Sequence, residues 1–204
     1  MADGPRGLLV DFGGVLTTDV MASLAVFCAE EGIAVERVGL LFRDDPEARA
    51  ALADVETGRI EPAAFERVLA RGLGLDADRL IERMLGASVP DDAMIDAVLT
   101  ARAGGVRTGL LSNSWGGTLY DRSRWPELFD AVVVSAEVGL RKPDPAIYEL
   151  AVDRLGVAAG ACVFVDDMEP NLPPAREVGL ATIHHRDAAS TIEQLEALLG
   201  VALR

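Results

Sequence analysis

Four groups of polar side chains follow apolar runs along the chain, and all are of kinds that bind phosphate or a metal ion. In chain order they are Asp11, Ser112 with Asn113, Lys142 in the loop after the third run, and Asp166 with Asp167. If the apolar runs are parallel strands, their carboxyl ends lie at one edge of a sheet, where ligands bind. The four groups are therefore expected to converge on one crevice.

Lys142 is the only lysine among the 19 lysine and arginine residues of the chain, and Arg141 stands beside it. An ammonium is a compact charge with three donors, so it suits contact with an anion and a nearby carboxylate better than the planar fork of arginine does. A single lysine must also fall somewhere by chance, and its position alone does not decide the matter.

Three carboxylates at neighbouring strand ends repel one another unless a cation lies between them. Asp11, Asp166 and Asp167 form an oxygen-rich set without histidine or cysteine, which suits a hard ion such as Mg²⁺. The alternative for the adjacent Asp166 and Asp167 is that they cap the next helix. Mg²⁺ is the predicted cofactor.

The order of apolar runs predicts an α/β fold with a Rossmann-like parallel sheet and helices on both faces. From residue 89 onward, helical patterns alternate with short apolar strands, which is typical of a parallel sheet wrapped by helices. The predicted strands after the first are 106–111, 131–134, 162–165 and 180–183, and the predicted helices include 91–103 and 188–199.

Residues 19–86 have helical periodicity and little strand signal, which predicts a small inserted α-helical cap. Pro62 suits a helix start there, and Gly32, Gly58 and Gly74 mark breaks between short helices. We therefore predict a core from residues 1–16 and 88–204, and a helical cap from residues 17–87.

Composition limits the partners. The formal net charge of -14 opposes binding to nucleic acid or to an anionic membrane, because both are polyanions. No apolar run approaches membrane-spanning length, so we expect no membrane partner. Cys28 and Cys162 lie in apolar runs and are expected to be buried, reduced thiols of a cytoplasmic protein. A monomer or a homodimer is expected.

The motifs resemble those of the haloacid dehalogenase superfamily, most closely its members with a helical cap inserted after the first strand. Residues 10–16 are similar to the first motif, 110–113 to the second, 141–145 to the third, and 164–167 with Asn171 to the fourth. Four motifs in the right order cover nearly the whole chain. The cap is matched only loosely, by its helices and residues 56–60.

The resemblance implies a phosphatase that acts on a small phosphorylated metabolite. Asp11 would be the nucleophile and become an aspartyl-phosphate. Ser112 and the backbone of Asn113 would bind the phosphoryl oxygens, and Lys142 would neutralise charge. The metal ligands implied are Asp11, the Gly13 carbonyl, Asp166 and Asp167, and the supporting residues are Gly14, Trp115 and Asn171.

Trp115 stands close enough to Asn113 to line the pocket. Tyr120 and Trp125 follow it, and aromatic side chains in such a place more often pack helices onto the sheet. We therefore expect packing from these aromatic residues, with Trp115 as the one closest to the substrate.

Gly13 departs from the family pattern. Phosphatases of the superfamily usually carry a second aspartate there, which protonates the leaving oxygen and then activates water. A positioned general acid is typically worth roughly 10² to 10⁴ in rate. Slow turnover, or a preference for acyl, anomeric-sugar or aryl phosphates, is expected unless Thr17, Asp19 or a water supplies the proton.

Two other functions stay open at this point. Dehalogenation of a haloacid uses the same nucleophile without a metal, but the pair Asp166 and Asp167 argues against it. A non-catalytic binding or regulatory protein that keeps the fold is favoured by Gly13.

Overall fold

A five-stranded parallel sheet forms the centre of the protein. The computed structural model describes residues 6–116 and 120–203. The strands in these residues are β1 (Gly7–Val10), β2 (Arg107–Ser112), β3 (Ala131–Val134), β4 (Cys162–Asp166) and β5 (Ala181–His184). Their order is β3-β2-β1-β4-β5, and every neighbouring pair is parallel. The connections leave the central β1 in both directions, so a crevice opens at its carboxyl end.

The predicted α/β fold with a Rossmann-like sheet is confirmed. The observed β3 has the predicted bounds, whereas β2, β4 and β5 each end one residue later than predicted, and β2 and β5 also begin one residue later. For β2 and β4 the extra residue is Ser112 or Asp166, so these two polar residues are the last members of their strands. A polar residue ends the apolar pattern before it ends the strand, because backbone pairing continues beside it.

The segment after β1 is helical, as predicted. Its helices are α1 (Val20–Glu30), α2 (Glu36–Asp44), α3 (Pro46–Glu56), α4 (Pro62–Leu73) and α5 (Leu80–Leu85). Asp45 accepts the N–H groups of Glu47 and Ala48 and caps α3, while Gly74 ends α4 in the left-handed region. These helices share one apolar cluster, which includes Leu24 and Phe65.

The division of the chain into residues 1–16 with 88–204 and residues 17–87 stays a prediction. Residues 1–5, 117–119 and 204 lie outside the described residues. The helices of the 17–87 segment contact the rest of the protein closely at Gly58, where a Cβ atom would overlap the carbonyl oxygen of Ala136. Only glycine fits this approach, since its φ of +68° is also in the left-handed region.

Helices cover both faces of the sheet. They are α6 (Asp92–Ala103), α7 (Trp125–Leu128), α8 (Ser135–Val138), α9 (Pro145–Leu155), α10 (Leu172–Val178) and α11 (Ala188–Leu199). Successive side chains of a strand point to opposite faces. Leu8 and Val10 accordingly pack in the cluster with α6 and α11, whereas Leu9 packs in the cluster with α9 and α10. The two apolar layers fix β1 between them.

Both cysteines are buried and free, as expected from the sequence. Burial raises the pKa of Cys162 to about 12, so this thiol is a packing group and a poor nucleophile. None of the helices in the described part of the chain is long and apolar enough to cross a membrane.

Candidate active site

The ends of β1, β2 and β4 bring the predicted site residues together. The pairing register sets Val10 beside Leu110 on one side and beside Val165 on the other. Asp11 continues this register, since its N–H donates to the Val165 carbonyl oxygen at 2.9 Å. Ser112 and Asp166 therefore end their strands on either side of the Asp11 carboxylate.

Lys142 lies at the centre of these carboxylates. Its side chain is 1% exposed, and its Nζ is 2.9 Å from Asp11 Oδ2 and 2.6 Å from Asp166 Oδ2. Burial alone lowers the pKa of Lys142, but the two carboxylates outweigh it, so the net shift raises the pKa above its usual range. The ammonium is therefore charged at any physiological pH and neutralises part of the carboxylate charge.

The Asp11 carboxylate is buried and directed. Its Oδ1 accepts the N–H of Phe12 at 2.7 Å, which leaves Oδ2 facing Lys142. Burial raises the pKa of Asp11 to about 7; Lys142 opposes this rise, and Asp166 and Asp167 add to it. A carboxylate that is desolvated, yet held beside an ammonium, is suited to act as a nucleophile.

The Asn113 side chain forms two hydrogen bonds with the backbone of Lys142. Its Nδ2 donates to the Lys142 carbonyl oxygen at 3.0 Å, and its Oδ1 accepts the Lys142 N–H at 2.9 Å. The sequence interpretation assigned only the Asn113 backbone. These two hydrogen bonds fix the Lys142 backbone, from which the side chain extends, relative to the end of β2.

Asp166 is fully buried, and its oxygens are occupied by protein donors. Asn171 Nδ2 donates to both oxygens at 3.0 and 3.1 Å, and the Met168 N–H donates to Oδ1 at 2.8 Å. Tyr148 donates to the Asn171 carbonyl oxygen at 2.7 Å. Asp166 therefore holds Lys142 in place, with the predicted supporting residue Asn171 beside it.

Asp167 completes a group of three carboxylates. One oxygen each from Asp11, Asp166 and Asp167 lie within 4.8 Å of one another, a cluster found among the described residues. Burial, with the neighbouring Asp166 charge adding to it, raises the pKa of Asp167 to about 6. A Cβ at Gly14, where φ is +73°, would overlap Asp167 Oδ2. The glycine thus leaves room for this carboxylate, and the all-oxygen donor set fits a hard divalent cation.

The surroundings of Gly13 contain two groups that could carry a proton, and both are engaged in local hydrogen bonds. Thr17 Oγ1 accepts the Gly14 N–H at 3.1 Å and donates to the Thr18 carbonyl oxygen at 3.2 Å. Asp19 Oδ1 accepts the Met21 N–H at 2.7 Å and caps α1. A Cβ on Gly13 would meet only Val20 Cγ2, at 3.1 Å, within 4 Å.

Glu56, at the end of α3 in the 17–87 segment, contacts two residues near the site, Arg141 and Trp115. Its Oε2 is 2.7 Å from Arg141 Nε, and its Oε1 accepts the Trp115 Nε1–H at 3.2 Å. Burial raises the pKa of Glu56, while Arg141 opposes the rise. Trp115 also packs edge-on against Phe65 of α4, with ring centroids 5.6 Å apart. The sequence interpretation had Glu56 only as part of a loose cap match.

Tyr120 lies closer to the site than its packing assignment suggested. Its hydroxyl is 3.0 Å from Ser112 Oγ, and its ring packs edge-on against Phe12 at 4.8 Å. No motif marks this residue, so only the fold reveals the contact.

Curated proteins that are similar to the chain include an epoxide hydrolase and a phosphatase. A segment of 117 residues is 37% identical to bifunctional epoxide hydrolase 2 of Sus scrofa, covering 54% of this chain and 21% of that protein. The chain thus spans about a fifth of the length of this curated relative. A sesquiterpene phosphatase of Aspergillus oryzae is 28% identical over 152 residues, covering 71% of this chain and 77% of the relative.

The chain also matches a solved structure and a family model. The fold matches a HAD family enzyme of Bacteroides thetaiotaomicron, solved in complex with magnesium and inorganic phosphate, with a TM-score of 0.65 and 23% identity. The match covers 90% of this chain and 95% of the other. The family model described as haloacid dehalogenase-like hydrolase matches residues 5–179. With its four motif segments gathered around one buried lysine, the chain belongs to the haloacid dehalogenase-like hydrolases.

Proposed function

We propose that the protein is a Mg²⁺-dependent phosphatase of a small phosphorylated metabolite, with Asp11 as the nucleophile. The observation that carries the proposal is the buried Lys142 ammonium bridging Asp11 and Asp166. This arrangement opposes protonation of a desolvated carboxylate and places positive charge beside the nucleophile, where a transferred phosphoryl group would lie.

Asp11 Oδ attacks phosphorus in line, forming an O–P bond as the bond to the leaving oxygen breaks. Lys142 neutralises charge on the nucleophile and on the phosphoryl oxygens, and Ser112 with the Asn113 N–H binds those oxygens. Water then attacks the aspartyl-phosphate, which releases inorganic phosphate and restores the Asp11 carboxylate. Asn171 supports the reaction indirectly, through Asp166.

Asp11, Asp166, Asp167 and the Gly13 carbonyl would hold Mg²⁺. The carboxylate cluster and the room that Gly14 leaves for Asp167 support this ligand set. When bound, the ion supplies positive charge that offsets the negative charge of the phosphoryl group. Because the protein oxygens of Asp166 already accept several hydrogen bonds, we propose Asp167 as the stronger ligand of the adjacent pair.

Two relatives support phosphate chemistry. The Aspergillus oryzae relative is a sesquiterpene phosphatase, and the Bacteroides thetaiotaomicron structure holds magnesium and inorganic phosphate. Neither relative identifies the substrate of this chain. The monomeric or homodimeric state and the cytoplasmic location stay predictions.

Gly13 restricts the leaving group in this proposal. The Thr17 hydroxyl donates its proton to the Thr18 carbonyl oxygen, and Asp19 Oδ1 caps α1, so in this proposal neither residue replaces an aspartate at position 13. Phosphates with stable leaving groups, such as aryl, acyl or anomeric-sugar phosphates, should therefore react faster than alkyl phosphates. Gly13→Asp should increase the rate on alkyl phosphates, because it supplies a carboxyl group that can protonate the leaving oxygen; the contact of its Cβ with Val20 Cγ2, at 3.1 Å, requires a small shift of that side chain.

The test is a screen of phosphorylated metabolites with and without Mg²⁺, with Asp11→Asn as the control for contaminating phosphatase. We expect phosphate release that stops with a chelator and is absent in Asp11→Asn. A rate that does not change across aryl phosphates of graded leaving-group pKa would contradict the role of Gly13.

Other outcomes favour the two alternatives. Halide release from a haloacid that survives the chelator would point to a dehalogenase. A protein that hydrolyses nothing, and whose melting temperature is unchanged by Mg²⁺ with beryllium fluoride, would have lost the phosphatase site.

A further inference from the structure

Tyr120 contacts the phosphoryl-binding residue from outside the four motif segments. Its hydroxyl oxygen lies 3.0 Å from Ser112 Oγ, and both atoms are partly buried. The ring is held from several sides. It packs edge-on against Phe12 at 4.8 Å and against Trp125 at 5.4 Å, and the Arg122 guanidinium lies 5.8 Å from its centroid. Phe12, which directly follows Asp11 in the chain, is therefore one of the residues that fix the position of the phenol ring.

The direction of the hydrogen bond decides what Ser112 can do. A serine hydroxyl has one proton, so it can donate to only one acceptor at a time. Ser112 Oγ also makes a long hydrogen bond to the Asn113 carbonyl oxygen at 3.4 Å, in which Ser112 is the donor because a carbonyl can only accept. If Tyr120 is the donor, Ser112 Oγ accepts its proton with one lone pair, and the Ser112 proton can turn toward a phosphoryl oxygen.

Tyr120 stays protonated and able to donate. Burial raises the pKa of its phenol, and the nearby Asp11 charge raises it further, while Ser112 and Ser114 oppose the rise. The neutral phenol also adds no negative charge near Asp11.

We infer that Tyr120 is a positioning residue that donates its hydroxyl proton to Ser112 Oγ and so directs the Ser112 proton to the transferred phosphoryl group. The inference rests on the proposed phosphatase function. It goes beyond that function because it adds a residue outside the four motif segments, whose ring packs against Phe12 and Trp125.

A double-mutant cycle tests the inference. Tyr120→Phe keeps the ring and its packing and removes only the hydroxyl. We expect it to lower kcat/KM for an aryl phosphate by about tenfold, the effect of one lost hydrogen bond. In the Ser112→Ala background, the same substitution should change kcat/KM by less than about twofold, because the group that it orients is gone. The dissociation constant of beryllium fluoride, measured with Mg²⁺, should follow the same pattern.

Thr108→Val is the matched control on the same strand. Thr108 Oγ1 donates to the Leu128 carbonyl oxygen at 2.5 Å, far from the carboxylates, so its loss should lower the melting temperature and leave kcat/KM unchanged. Tyr120→Phe with wild-type kcat/KM overturns the inference, as does an equal loss with and without Ser112. If the wild type neither hydrolyses phosphates nor binds beryllium fluoride, the proposed function is wrong, and the inference that rests on it is wrong as well.

Discussion

Binding of Mg²⁺ is expected to weaken steeply as the pH falls. Burial raises the pKa of Asp11 to about 7 and that of Asp167 to about 6. A carboxylate must lose its proton before it can coordinate a cation, so binding releases protons and depends on pH. Ordinary exposed aspartates have a pKa near 3.9 and would give no such dependence above about pH 5.

The size of the effect follows from the two pKa values. Between about pH 8 and pH 5.5, protonation of Asp11 reduces the apparent affinity roughly 30-fold and that of Asp167 roughly 4-fold, or roughly 100-fold together. Asp11→Asn removes the larger of the two factors. The dependence that Asp167 contributes should remain, so the variant should have a weaker pH dependence than the wild type.

Isothermal titration of Mg²⁺ into the purified protein at a series of pH values measures this directly. Titrations in buffers of different ionisation enthalpy give the number of protons released. We expect about one proton to be released near pH 6.5 in the wild type and fewer in Asp11→Asn. An affinity that is the same at pH 5.5 and pH 8, or equal pH dependence in the two proteins, would refute the reasoning.

Three further substitutions probe the site. Lys142→Met leaves two buried carboxylates without their counter-charge, so it should abolish hydrolysis and lower the free energy of unfolding in urea by about 3 kcal/mol; a fully stable variant would contradict this. Gly14→Ala places a methyl group against Asp167, so Mg²⁺ should no longer raise the melting temperature, and an unchanged response to Mg²⁺ would count against the ligand assignment. Glu56→Ala leaves Arg141 without its partner and should cost about 2 kcal/mol in urea unfolding, whereas a cost near zero would mean that the ion pair does not hold the cap segment.

The sheet was predictable because its strands are short apolar runs bounded by polar residues. β3 has the predicted bounds, and α11 does as well. The errors at β2 and β4 are one residue long and have a common cause. Ser112 and Asp166 are polar, yet they still pair with a neighbouring strand, and a pattern of hydrophobicity cannot register that pairing.

The meeting of the motif residues was predictable as well, since parallel strands end at one edge. What the sequence could not indicate are contacts between segments far apart in the chain. Glu56 meets Trp115 and Arg141 where α3 packs near α8, and the Tyr120 hydroxyl lies beside Ser112 Oγ while its ring packs against Phe12. Such contacts depend on tertiary packing, which leaves no local periodicity in the sequence.

The burial of Lys142 has a consequence for chemical labelling. It is the only lysine of the chain, and its side chain is 1% exposed and held by two carboxylates. Amine-reactive reagents should therefore find no accessible lysine on the folded protein. Acylation of Lys142 therefore reports how often the site opens and exposes this ammonium to solvent. Mass spectrometry of the modified peptide measures the acylation rate. A bound phosphate mimic should lower that rate.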